Sequence, residues 1–328
     1  MCLQFRRGSR PPATLSIEYN DEQSIVDNLT ENNVRRMWTS RRFEEDELYL
    51  VHVQCIGLPT TLAVKKFKNM NPTLRVGNHY VKSRCRSEMV LLANICHENI
   101  MKVLDVIERN EAIMLIYEYP VNGSLDYWLH QREGANGPLS WPKRRAIAIG
   151  MAKGLCHLHH GCNKPIIHHN ISCKNILLDQ NFKAVIASFG AAQMNMAGLG
   201  QPLPITGLPP GNFGYTAPEC VASQLTEKVD IYSFGVVLLE LVTGRVANGA
   251  GLGGQLAIWA RDNCNDLMAN HLERFRTEVD MGIPDQARYM KEMATMLKLG
   301  VDCTVRDPQE RPSMQIALKR LCRGRGRG

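Results

Sequence analysis

Apolar and polar positions along the chain change their period several times, and each change marks an element. Leu48-Tyr49-Leu50-Val51-His52-Val53-Gln54-Cys55 has the composition of a strand, and Thr61–Phe67 reads as a second one. Met89, Leu92 and Ile95 repeat every third residue within Arg86–Ile95, the stripe of a helix. Ile113–Tyr119 is a continuous apolar run of strand length, so it reads as a buried strand, and Pro120-Val121-Asn122-Gly123 ends it. Ser140 stands as an N-cap with Pro142 in the first turn, ahead of a helix carrying Ile147, Met151, Leu155 and Leu158. Lys164–Gly190 reads as a buried strand, a loop and two further short strands, and the Gly- and Pro-rich stretch Met194–Gly211 reads as irregular. Thr226–Asp230 opens another helix, whose run Ile231–Val242 is apolar almost all round and therefore central and buried.

A chain of 328 residues with 44% hydrophobic content is long enough for a real core, as two ordinary domains or one bilobal unit. Part of the net charge of +7 sits at the ends, in Arg6, Arg7 and Arg10 and in Arg323, Arg325 and Arg327. These read as solvated tails before they read as a contact with RNA or an anionic surface. No basic patch alternates with aromatics, so no nucleic-acid partner is expected. The eleven cysteines form no C-x-x-C pair and are odd in number, the pattern of reduced thiols. His157, His159, His160, His168 and His169 lie close in sequence, and a helix-end cluster explains them better than a zinc site does. No run of eighteen apolar residues is present, and Cys2 stands where N-myristoylation requires glycine. The start is also too short in apolar residues for a signal peptide. The expected location is cytoplasmic, at a membrane only through a partner, with no direct membrane insertion.

His168-His169-Asn170-Ile171-Ser172-Cys173-Lys174-Asn175, followed by Ser188-Phe189-Gly190, resembles the H-R-D-x-K-x-x-N catalytic loop and the D-F-G metal loop of protein kinases. Other pieces fall in the same order. Ala63-Val64-Lys65 resembles the V-A-I-K strand, Glu88 the helix glutamate, and Tyr117-Glu118-Tyr119 the approach to the hinge between lobes. Ala217-Pro218-Glu219 matches the A-P-E motif, and Asp307–Met314 is close to the family's final motif. Asn122–Leu125, Asn175–Asp179 and Asp230–Leu241 are most similar to the leucine-rich-repeat receptor-like Ser/Thr kinases of plants. The resemblance covers about residues 26 to 322. It implies an α+β fold, the bilobal protein kinase-like fold: a small antiparallel sheet lobe with one helix over 25–119 and a larger helical lobe over 120–322. A flexible arm over 1–24 and an Arg/Gly tail over 323–328 flank them.

The resemblance also assigns roles, and several residues depart from them. Lys65 would be the phosphate lysine, paired with Glu88; Glu118 and Pro120 would border the adenine. Pro120 has no N–H to give the ring. Asn170 stands at the general-base position, Ser172 at the lysine two places on, and Asn175 and Ser188 at the metal positions. Arg35–Glu47 occupies the place of the glycine-rich loop that cradles phosphates, where bulky side chains cannot let the backbone approach. An amide has no basicity near neutral pH, and general-base help is typically worth about 10²–10⁴ in rate. The supports are kept: His168 and Phe189 can stack, Asp230 can brace the catalytic loop, and Arg311 can pair with Glu219. Thr206 is the one hydroxyl of the activation-loop stretch before its closing segment. The expectation is a pseudokinase, a signalling scaffold or regulator whose protein partner is an active receptor-like kinase or its substrate. ATP and Mg2+ would be its cofactors if active, with weak or absent binding expected. The competing expectation is a weak ATP-dependent Ser/Thr kinase using Lys65, Glu88 and Asn175.

Overall fold

A computed structural model describes residues 46–55, 58–67, 88–109, 112–131, 137–204, 213–222, 224–249, 255–269 and 272–323. The arm over 1–24, the segment Arg35–Glu47 up to residue 45, Thr206 and the tail from 324 lie outside them. The chain divides into two compact units.

The first unit holds the apolar-rich strands. β1 (Asp46–Cys55), β2 (Leu58–Phe67), β3 (Val103–Arg109) and β4 (Ala112–Glu118) form an antiparallel sheet in the order β1-β2-β4-β3. Of the inner strands, β4 carries a continuous apolar run and β2 a shorter one, Leu62-Ala63-Val64; Leu62, Val64, Leu115 and Ile116 are all buried. Lys65 lies opposite Leu48 on one side and Leu115 on the other.

The second unit is mainly helical. Among the described residues its first helix, α1, covers 88–93, with Leu91 and Leu92 buried on it and Ile95 buried just beyond its end. Packing groups residues 88–101 with the second unit. The reason is a set of hydrogen bonds: Met101 N–H donates to Ile186 O (2.8 Å), Ile186 N–H to Asn99 O (2.9 Å) and Asn99 Nδ2 to Ala184 O (2.8 Å). α2 (Trp141–Cys156) continues through a π-helical turn, His157–Gly161. Ser140 is its N-cap residue with Pro142 behind it, but the Ser140 side chain makes no capping hydrogen bond, so the expected cap is positional only. α3 (Lys228–Thr243) is the central helix, buried from Val229 to Thr243 except at Ser233. Beyond it come α4 (Leu256–Ala269), α5 (Leu272–Glu278), α6 (Gln286–Cys303) and α7 (Met314–Arg323). α3 and α6 approach closely at two glycines. A Cβ on Gly235 would lie 2.6 Å from Cys303 Cβ, and one on Gly300 2.8 Å from Leu239 Cδ2.

Short strand pairs shape the loops of this unit. β5 (Ile166–Ile167) pairs with β8 (Gln193–Met194), β6 (Ile176–Leu178) with β7 (Ala184–Ile186), and β9 (Leu203–Pro204) with β10 (Gln224–Leu225). No helix among the described residues is long and apolar enough to cross a membrane.

Candidate active site

The site grows from a wholly buried carboxylate. Asp230, in the first turn of α3, accepts the His168 N–H on Oδ2 (2.8 Å) and the His169 N–H on Oδ1 (2.7 Å). These two bonds hold the loop after β5 through a sharp turn in which His169 adopts φ 60°, the left-handed region that a non-glycine residue seldom enters. His159 Nε2 meets Oδ2 at 2.9 Å. Burial pushes the Asp230 carboxyl upward, but the His159 hydrogen bond, with the charges and backbone N–H around it, holds it below its ordinary value. His159 was not singled out by the sequence pattern for this contact. Its place at the end of α2, two residues after His157, was the available signal.

His168 is fixed on both ring nitrogens. Nδ1 accepts the Asn170 N–H (3.2 Å) and Nε2 faces Ala187 O at 3.1 Å, which assigns the proton to Nε2. Its edge meets Phe189 with ring centroids 4.6 Å apart and planes at 80°. Burial brings its pKa down to about 4, so the ring is neutral.

Around this support the structure brings three of the expected chemical positions together. Asn175, at the end of a 3₁₀ turn (Cys173–Asn175), donates from Nδ2 to Asn170 O at 2.7 Å. Ala187 N–H donates to Asn175 O at 2.9 Å, which ties the two segments. Ser188 sits at φ 70°, ψ 61°, also left-handed, and its Oγ accepts from Asn170 Nδ2 at 3.1 Å. Ser172 is buried, and its Oγ has no hydrogen-bond partner among the described residues. Magnesium takes hard, mostly anionic oxygens. Asn170, Asn175 and Ser188 are neutral, and the Ser188 hydroxyl already accepts a hydrogen bond. This donor set does not fit the ion.

The other expected nucleotide positions divide between the units. In the first, Lys65 projects from β2 with Nζ 4.7 Å from the Phe67 ring centroid, and Glu118 is exposed at the end of β4. In the second, Glu88 is buried in α1, and Pro120 is buried with its carbonyl accepting the Gly123 N–H at 3.0 Å.

The expected support contacts are present. Arg311 meets Glu219 through two parallel hydrogen bonds, Nη1 to Oε1 (2.5 Å) and Nη2 to Oε2 (2.7 Å). The Arg311 side chain is wholly buried, and its remaining N–H groups reach Val305 O and Lys228 O. Two further buried charges were not anticipated. Arg144 donates to Asp280 Oδ2 (2.5 Å) and to Leu241 O (2.9 Å). Glu240 is wholly buried in α3; its signal in the sequence was a lone acid inside an otherwise apolar run.

Residues 53–321 match the family of the protein kinase domain. The chain belongs to that family. It is similar to a probable leucine-rich repeat receptor-like protein kinase of Arabidopsis thaliana, with 36% identity over 267 residues, covering 80% of this chain and 23% of that protein. It is 32% identical over 315 residues to the receptor-like protein kinase HAIKU2 of Arabidopsis thaliana, covering 92% of this chain and 30% of that protein. It is 37% identical over 239 residues to the leucine-rich repeat receptor protein kinase MSP1 of Oryza sativa subsp. japonica, covering 72% of this chain and 18% of that protein. This kinase domain is therefore of the plant leucine-rich-repeat receptor-like kind, and the chain spans under a third of the length of these relatives.

Proposed function

We propose that this kinase domain is catalytically impaired and serves as a signalling scaffold or regulator, a pseudokinase. One observation carries the reading: the residues at the general-base and metal positions, Asn170 and Ser188, are neutral and hydrogen-bond to each other. Phosphoryl transfer asks the protein for metal ions clamped on the phosphates and for an oriented hydroxyl nucleophile. An active kinase domain would use ATP and Mg2+. Here Asn170 cannot take the hydroxyl's proton, Ser172 brings no positive charge to the transferring group, and Pro120 offers no N–H to an adenine. These losses strike one mechanism, so their effects need not add.

The packing groups have the opposite character. Asp230, His168, Phe189, Glu219 and Arg311 make the contacts that keep the second unit folded. A folded domain without its chemistry acts by binding, and its partner on this reading is an active receptor-like kinase or a substrate of one. Its place would be the cytoplasm, at a membrane through that partner.

The test is phosphate incorporation from labelled ATP with Mg2+, into the domain itself and into a general acceptor protein, beside an active receptor-like kinase domain. The expected result is no incorporation above background. Incorporation that Lys65→Met abolishes would restore the enzyme.

A further inference from the structure

We infer that His130, Cys173 and Glu240 form a binding site for one zinc ion, independent of whether the domain transfers phosphate. The three side chains come from three segments: the π-helical turn Tyr127–Gln131, the 3₁₀ turn Cys173–Asn175 and the central helix α3. Their ligand atoms all lie within 4.8 Å of one another. Glu240 Oε1 lies 3.1 Å from His130 Nε2, and Glu240 Oε2 lies 2.9 Å from Cys173 Sγ. Zinc bound by N, O and S at about 2.0–2.3 Å holds neighbouring ligands roughly 3.3–3.5 Å apart. The two short contacts use different oxygens of Glu240, and with one ligand atom from each residue the set lies within 4.8 Å, so it must draw together by about an ångström to close on the ion.

The chemistry of the set points the same way. Elsewhere in this unit Arg311 meets Glu219 and Arg144 meets Asp280, while the wholly buried Asp230 is met by His159 and two backbone N–H groups. Glu240 is wholly buried, and among the described residues no lysine or arginine pairs with it. A buried charge without such a partner is found in metal sites, and imidazole, thiolate and carboxylate together suit zinc rather than magnesium. The carboxylate is also held in place by groups outside the set. Tyr215 O–H donates to Oε2 (2.6 Å) and Ala247 N–H to Oε1 (3.0 Å). Such outer hydrogen bonds orient ligating carboxylates.

Without metal, the thiol proton closes the ring of hydrogen bonds onto Glu240. On binding, that proton leaves to solvent, the His130 proton that faces Glu240 on Nε2 is exchanged through solvent for one on Nδ1, Sγ and the freed Nε2 lone pair turn to the ion, and water takes the fourth place. The site would tie the catalytic-loop segment to α3 and, through Tyr215, to the segment ending at Ala217-Pro218-Glu219.

The experiment uses the full chain, first stripped with a chelator. Zinc chloride should leave one zinc per chain after gel filtration and raise the melting temperature, where magnesium chloride does neither. Cobalt(II) should give a thiolate charge-transfer absorption. Cys173→Ser and His130→Gln should each lose tight zinc, and Cys173→Ser the absorption, while a Cys96→Ser/Cys322→Ser variant keeps both. Failure of the parent chain to retain zinc, a cobalt spectrum without the thiolate band, or a band that persists in Cys173→Ser would each overturn the inference. The cobalt spectrum of the parent decides the matter even if a variant does not fold.

Discussion

Asn170 and Ser188, eighteen residues apart in sequence, are joined by a hydrogen bond of 3.1 Å from the amide Nδ2 to the hydroxyl Oγ. Asn170 follows a turn held by Asp230, and Ser188 sits in the left-handed region next to Phe189, which packs on His168. The contact is solvent-exposed, so it contributes specificity of conformation more than stability. Ser188→Ala should therefore cost only about 0.5–1.5 kcal/mol, the net worth of an ordinary hydrogen bond. Urea unfolding of the two proteins measures it.

The Arg311–Glu219 pair behaves differently because Arg311 is wholly buried while Glu219 is 15% exposed. Removing one partner of a buried pair leaves the other uncompensated and costs about 3–5 kcal/mol. Arg311→Ala should fall in that range, since it also strands the carbonyls of Val305 and Lys228. An unchanged denaturation midpoint would show that the pair does not support the fold.

Stability should depend on pH through His168. Its folded pKa is about 4, against an ordinary value of 6.5. The unfolded chain thus binds the proton more readily, so stability is full above about pH 6.5 and is lost as pH falls toward 4. The shift corresponds to about 3 kcal/mol at most. Asp230, whose carboxyl is held below its ordinary value, loses its contribution at lower pH in the same direction. Denaturant midpoints between pH 7 and about 4 measure the slope, and His168→Gln should flatten it.

The α3–α6 contact should resist added volume. Gly235→Ala places a methyl 2.6 Å from Cys303 Cβ and 2.9 Å from Gly300 O, which the two helices can relieve only by moving apart. Overpacking of this kind costs about 1–3 kcal/mol. Thermal unfolding of the variant against the parent provides the check.

Much of this was legible in the sequence, for identifiable reasons. The run Ile231–Val242 has too many apolar residues to lie anywhere but at the centre, and α3 is buried there. Asp230, His168, Phe189, Glu219 and Arg311 could be placed because the motifs that hold them appear in the family's order. The contacts missed are those between segments that no motif links. His130, Cys173, Tyr215 and Glu240 come from four segments, and only folding brings them together. Asn99 and Met101 bond to the strand holding Ile186, a pairing that periodicity cannot register. Ser140 had the right residue type for a cap, yet its hydroxyl makes no bond to the helix end, because residue type does not fix a rotamer.

Thermal unfolding with ATP, with and without Mg2+, tests the proposed impairment of this kinase domain most directly. A ligand at 100 times its dissociation constant stabilises the state it binds by about 2.7 kcal/mol, a readily visible shift. With Asn170, Asn175 and Ser188 offering no anionic oxygen, and Pro120 no N–H, the account predicts no shift from ATP with Mg2+ and at most a small one without it. A clear shift that requires Mg2+ would contradict it.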